Sequence, residues 1–172
     1  MAGIACTVRV SGIDEVPSPH ESPGEYVLRL AEEKCAAVPH TADEFVLAAD
    51  TTVVIGEELL EKPHSSEDAA RMLRRLSGNE HHVLTGVCIR HGGKAWSGVE
   101  QTKVRFSALS ESEILDYSQS GEPMDKAGGY AIQGLASKFV ESVEGCYFNI
   151  VGLPVSRVYR MLKDAGYNFA LG

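Results

Sequence analysis

Between His81 and Phe106 the chain reads as two strands joined by a tight turn. Val83, Thr85, Val87 and Ile89 fall at every second position before His91-Gly92-Gly93-Lys94, and Trp96, Val99, Val104 and Phe106 follow it. Alternation with period two sends one set of side chains to one face of a sheet. The Gly-Gly pair supplies the positive φ angles that a two-residue hairpin turn requires. A long antiparallel hairpin is the first constraint, and the rest of the fold has to be built around its sheet.

Helical patterns interleave with further strands. Ser22-Pro23-Gly24-Glu25 places serine at an N-cap, proline at the first helical position and glutamate three residues after the cap, a capping box. Tyr26, Val27, Leu30, Ala31 and Cys35 then recur at helical spacing until Pro39. Ser65 or Ser66 starts a second helix through Leu76, and Ser110 to Glu113 forms another capping box before a short helix ended by Gly121. Pro154 opens a final helix carrying Val155, Val158, Tyr159 and Leu162.

Phe45-Val46-Leu47-Ala48-Ala49 is a continuous apolar run that stops at Asp50-Thr51-Thr52 and resumes at Val53-Val54-Ile55, the pattern of a strand buried on both faces. Thr7-Val8-Arg9-Val10 alternates as a short strand, and Phe139 to Val143 reads as another. Interleaved helices and strands around a hairpin give an α/β or α+β class with a mixed parallel and antiparallel sheet.

The 172 residues fit one domain, residues 1–172, with a full core. No apolar run approaches the ~20 residues that span a bilayer, and the opening residues do not form a basic patch followed by an apolar stretch and a cleavage site. These features point to no membrane and to the cytoplasm. Cys6, Cys35, Cys88 and Cys146 are far apart, which argues against a zinc knuckle or dithiol motif. A net charge of −8 opposes binding of a nucleic acid polymer, whose partners present a basic face. A small anion held by a few lysines and a divalent cation remains compatible with that charge.

The segment Gly121-Glu122-Pro123-Met124-Asp125-Lys126-Ala127-Gly128-Gly129-Tyr130-Ala131-Ile132-Gln133-Gly134 is too broken for helix and too polar for core. It reads either as a loop that presents side chains to a ligand or as a plain solvated loop with an Asp125, Lys126 pair. Asp50 interrupts an apolar run and so stands at the mouth of a buried strand, where open sheets bind ligands. It either caps the following turn or serves as an acid that holds a cation or takes a proton from water. Glu15 lies in an acidic loop and needs a partner to be more than a solvated carboxylate. Lys34 sits near a helix end, where a cation also complements the dipole, and Lys62-Pro63 fixes a lysine ahead of a helix, a place suited to phosphate. His81 and His82 point to opposite strand faces and cannot share one ion. Asn149 reads as a cap of the final helix.

Taken together, Ala49-Asp50-Thr51, Glu61-Lys62-Pro63, Leu76-Ser77-Gly78-Asn79-Glu80-His81, Thr85-Gly86-Val87, Gly121 to Gly128, Ile132-Gln133-Gly134 and Asn149 to Pro154 resemble the Maf family of nucleoside triphosphate pyrophosphatases. The resemblance spans the chain in order. It implies an elongated mixed α/β fold with a central cleft, and hydrolysis of the α–β phosphoanhydride of a nucleoside triphosphate to the monophosphate and pyrophosphate, with Mg²⁺ or Mn²⁺ required. Asp50 resembles the proton acceptor that activates water, and Glu15 a supporting acid near the metal; Lys34 and Lys62 would meet phosphate. Thr51 and Gln133 match positions tied to base choice, and Asp125 and Lys126 belong by the same resemblance with the substrate-binding residues. The Asp-Thr form resembles the dTTP/UTP branch; a 7-methyl-GTP pyrophosphatase and a catalytically weak nucleotide-binding protein linked to cell division are the alternatives. The family also allows a homodimer. Its members open with a strand, a Ser-x-Ser-Pro-Arg-Arg loop and a helix, whereas this sequence begins near the end of that helix, so the expectation is an N-terminally shortened domain without the arginine clamps.

Overall fold

The computed structural model describes residues 4–169. Its frame is one five-stranded sheet in the order β2-β1-β3-β4-β5, made of β1 (Val46–Ile55), β2 (Glu58–Leu60), β3 (Glu80–His91), β4 (Lys94–Phe106) and β5 (Val140–Glu144). The predicted hairpin is its longest pairing, from Glu80↔Arg105 to His91↔Lys94, and Gly92 and Gly93 take φ values of 55° and 77°. Two-residue turns of this kind match the twist of the strands they join.

Every pairing among the described residues is antiparallel, so the expected parallel component is not seen there. The reason lies in the connections: β1 to β2 and β3 to β4 are hairpins, and the longer connections through α2 and α3 bring β3 beside β1 and β5 beside β4 in antiparallel sense. Asp50 does not stand at a strand end as expected: Asp50-Thr51-Thr52 lie inside β1. These polar residues continue the ladder through Asp50↔Gly86, Thr51↔Thr85 and Thr52↔Leu84, because backbone pairing is indifferent to side-chain polarity. Thr7–Val10 is irregular rather than a strand, with Val8 and Val10 exposed and Arg9 donating to Pro39 O at 2.6 Å and to Glu44 Oε1 at 2.7 Å.

Helices cover both faces. α1 (Pro23–Ala37) starts at the predicted capping box, with Ser22 N donating to Glu25 Oε2 at 2.9 Å and Glu25 N to Ser22 Oγ at 3.3 Å. It buries Tyr26, Val27 and Leu30 against Val54 and Leu84. The helix lies unusually close to β3: a Cβ on Gly86 would stand 2.1 Å from Val27 O, so only glycine permits the contact. On the opposite face α2 (Ser66–Leu76) and α3 (Glu111–Ser118) enclose the main core, in which Val53, Leu60, Leu73, Leu76, Val83 and Phe106 pack together. Adjacent β1 residues Val53 and Val54 therefore enter different cores, as a doubly buried strand requires.

Between α3 and β5 the Gly-rich segment forms three short 3₁₀ turns at Glu122–Asp125, Ala127–Gly129 and Leu135–Phe139. α4 (Tyr147–Val151) and α5 (Val155–Asp164) complete the chain, with Pro154 at the α5 N-cap. Asn149 does not cap α5 as expected. It is buried within α4, where its Nδ2 donates to Val83 O at 2.9 Å and Thr102 Oγ1 at 3.1 Å and pins α4 to the sheet. Among the described residues no helix is long and apolar enough to cross a membrane.

Candidate active site

β2 pairs with β1 only over Val53–Ile55, so the stretch of β1 from Val46 to Thr52 has no ladder partner on that side among the described residues. A cleft of about 460 Å³ opens beside this free edge. Its walls come from the acidic loop before α1, from α1 itself, from the β2–α2 connection, from the second 3₁₀ turn and from the end of α4.

Alternation along β1 determines what each residue meets. Asp50 shares parity with Val54 and faces α1; Thr51 shares parity with Val53 and faces α4. From α1, Lys34 Nζ reaches Asp50 Oδ1 at 2.5 Å and Glu15 Oε1 at 2.6 Å. The two acids, 35 residues apart in sequence, thus converge on one cation. This gives Glu15 the partner that its loop sequence alone does not reveal.

Burial leaves only 10% of the Asp50 side chain exposed, against 42% for Glu15, and their protonation diverges accordingly. Desolvation raises the Asp50 carboxyl above its ordinary value even though Lys34 opposes the shift. Glu15 is lowered, chiefly by its hydrogen bond to Lys34 with burial working against it. For Lys34, burial favours the neutral amine, but the combined bonds and charges of Asp50 and Glu15 outweigh it and raise the ammonium. One carboxylate is thereby held as the stronger base and the other as a firmly ionised anion.

Lys62, Thr51, Asp125 and Lys126 line the same cleft. The Lys62 charge adds a smaller contribution that favours the ionised forms of Glu15, Asp50 and Asp125. Lys126 Nζ bonds Asp125 Oδ1 at 2.5 Å. The Thr51 hydroxyl lies 2.8 Å from Thr85 Oγ1 and donates at 3.4 Å to Gly152 O, so it braces the turn after α4 as well as facing the opening. Gln133 is exposed and lies outside the cleft lining.

Sequence reasoning passes over several lining residues, among them Tyr26, Glu61, His64, Tyr130 and Gly152. Tyr26 is hidden in the apolar stripe of α1. A signal is present: Tyr26, Leu30 and Lys34 recur every four residues, so the tyrosine hydroxyl and the ammonium lie along one side of the helix.

No three His, Cys, Asp or Glu side chains gather as a metal cage among the described residues. A dedicated all-protein site is therefore not what the cleft offers. Mg²⁺ is commonly held by one or two carboxylates together with substrate phosphates, and a pair of carboxylates already converging on the Lys34 ammonium matches that donor set. Oxygen ligands from Asp50 and Glu15 fit a hard divalent cation that arrives with an anionic ligand.

The cleft thus gathers a raised carboxyl, further acids and three lysines in one opening. The family is established by comparison: a family model described as "Maf-like protein" matches residues 1–165, and the chain belongs to that family. The dTTP/UTP pyrophosphatase of Anaeromyxobacter dehalogenans (strain 2CP-C) is 51% identical over 170 residues, covering 96% of this chain and 86% of the relative. Those of Geobacillus sp. (strain WCH70) and Koribacter versatilis (strain Ellin345) are 49% and 48% identical, over 97% and 92% of this chain and 90% and 83% of theirs.

Proposed function

We propose that this protein is a metal-assisted nucleoside triphosphate pyrophosphatase that hydrolyses dTTP and UTP to the monophosphate and pyrophosphate. The observation that carries the reading is the largely buried Asp50 carboxyl, raised above its ordinary range and held by Lys34 at the cleft. The names of relatives about half identical to the chain support the substrate class.

Asp50 serves as general base. A carboxylate whose proton affinity has been raised by burial accepts a proton from water more readily than a solvated one. Water attacks the α-phosphorus, its proton passes to Asp50, the bond from the α-phosphorus to the bridging oxygen breaks, and pyrophosphate leaves with that electron pair. Lys34 orients Asp50 during the attack, and Lys62 and Lys126 offset the charge that gathers on the β and γ phosphates. A divalent cation held by Glu15 and Asp50 with the phosphates would supply further neutralisation of that charge. No covalent enzyme intermediate is required.

Thr51 and Gln133 carry base choice in this reading, Thr51 from within the cleft and Gln133 from a loop that has to approach a bound nucleotide. The enzyme acts on free nucleotides in the cytoplasm rather than on nucleic acid, in keeping with a net charge of −8; a homodimer of single-domain subunits is part of the same reading.

Hydrolysis of dTTP in ¹⁸O-labelled water tests the chemistry. Label in the released monophosphate is expected, whereas label in pyrophosphate would move the attack to the β-phosphorus and remove Asp50 as the base for attack at the α-phosphorus.

A further inference from the structure

Tyr26 is 3% exposed, yet its hydroxyl lies at the cleft. It donates to Glu61 Oε1 at 2.7 Å, and the carbonyl oxygen of Glu15 lies 3.4 Å away. One buried oxygen on α1 thus touches the loop that carries Glu15 and the connection that carries Glu61 and Lys62. The same helix presents Lys34 two turns further on, in contact with Asp50 and Glu15. Burial first, then the hydrogen bond to Glu61 and the negative charges of Glu61, Asp50 and Glu15, oppose loss of the hydroxyl proton, so Tyr26 remains a donor.

Glu61 is otherwise an exposed residue in a short connection between β2 and α2. Nothing else among the described residues bonds its carboxylate, which makes Tyr26 the contact that sets its direction. The Glu15 loop is similarly irregular and lacks a ladder of its own. Two irregular connections that bear an acid and a lysine of the site would lose a common reference point without this hydroxyl.

We propose that Tyr26 and Glu61 form a positioning pair for the cleft: the Tyr26 hydroxyl, acting through the Glu61 carboxylate and beside the Glu15 carbonyl, holds Glu15 and Lys62 at the separation that receives the metal-bound triphosphate. The inference rests on the reading of the cleft as a triphosphate site. Neither residue touches the reacting atoms. Their effect is on assembly of the site, and it should appear in binding before it appears in chemistry. Residues that orient the groups around a metal typically change affinity or activity by about 10–100-fold when altered.

The test is calorimetric titration with the non-hydrolysable α,β-methylene analogue of dUTP at fixed Mn²⁺, on wild type, Tyr26→Phe, Glu61→Ala, Glu61→Gln and the Tyr26→Phe/Glu61→Ala double variant. Thermal melts of the nucleotide-free proteins provide the structural control. Tyr26→Phe keeps the ring and its packing, so an unchanged melt with affinity weakened about tenfold or more is expected. Glu61→Ala should match it, the double variant should be no worse than either single one, and Glu61→Gln, which still accepts the bond, should recover most of the affinity. Wild-type affinity in Tyr26→Phe, or fully additive losses in the double variant, would overturn the pairing. Loss in Glu61→Gln equal to that in Glu61→Ala would also overturn it, because the charge rather than the bond would then be at work. Because binding is read without turnover, failure of the pairing is distinguishable from failure of the hydrolase reading, which shows as absent pyrophosphate release from wild type.

Discussion

On the α1 wall of the cleft, Glu15, Lys34 and Asp50 hold their charged ends together at the opening. On the wall built from Gly121 to Phe139, much of the polarity turns inward. Glu122 accepts from Tyr117 OH at 2.8 Å and Leu135 N at 3.0 Å, and a Cβ on Gly134 would stand 2.2 Å from its carboxylate. Tyr130 OH meets His81 Nε2 at 2.8 Å in the core. Only Asp125, Lys126, Ala127 and Tyr130 of that segment reach the cleft. An irregular, Gly-rich segment has few backbone ladders to hold it, so its polar side chains take over that task. Lys34 and Asp50 are already positioned by a helix and a strand, and Lys34 in turn fixes Glu15 on its irregular loop.

The comparison predicts that variants of the two walls fail differently. Asp50→Asn should show the largest effect, a fall in turnover of about 10²–10⁴-fold, typical of a lost general base. Its melting temperature should stay close to wild type, since burial already disfavours the ionised form of Asp50. A large drop in melting temperature would make Asp50 a structural residue and erase the contrast.

Behind the loop wall, burial lowers His81 from 6.5 to about 4. The folded state therefore resists a proton that the unfolded chain accepts, so this contribution is complete above pH 6.5 and is lost as pH falls from there to about 4. The lost stability is about 3 kcal/mol. Chemical denaturation of wild type and His81→Phe across that window should show a flatter pH dependence in the variant; parallel curves would refute it.

Glu122→Ala should cost about 1–3 kcal/mol of stability by orphaning Leu135 N and the Tyr117 hydroxyl, while activity in the fraction that remains folded falls far less than in Asp50→Asn. Equal losses of activity in the two would put Glu122 in the chemistry. Gln133→Ala should have the smallest effect, about tenfold or less in kcat/KM, the scale of one hydrogen bond, seen as a change in the ratio of dTTP to CTP turnover with no change in melting temperature.

What the sequence discloses follows the same division. Capping boxes, the Gly92-Gly93 turn and alternation are local rules, and they locate α1, α3, β3 and β4 closely. Asp50 is conspicuous in its apolar run, whereas Glu15, Lys34 and Lys62 gain their roles only from the family resemblance; the contact that makes three of these residues a unit joins positions 15, 34 and 50, and depends on how α1 lies across β1. That placement needs the close approach that Gly86 permits to the Val27 backbone, which no local pattern encodes. Tyr26 and Asn149 escape sequence reasoning for a related reason. Each looks like a core or cap residue, and each uses a polar atom to join elements distant in sequence. Thr7–Val10 alternates properly but has no strand beside it among the described residues, and alternation without a partner does not make a sheet.

The most direct test of the central claim is pyrophosphate release from dTTP, UTP, CTP and GTP with Mg²⁺ or Mn²⁺, measured on wild type and Asp50→Asn in parallel. Metal-dependent release selective for dTTP and UTP, abolished in the variant, is the predicted result. A folded wild type that releases none, or a variant that releases as much, would contradict it.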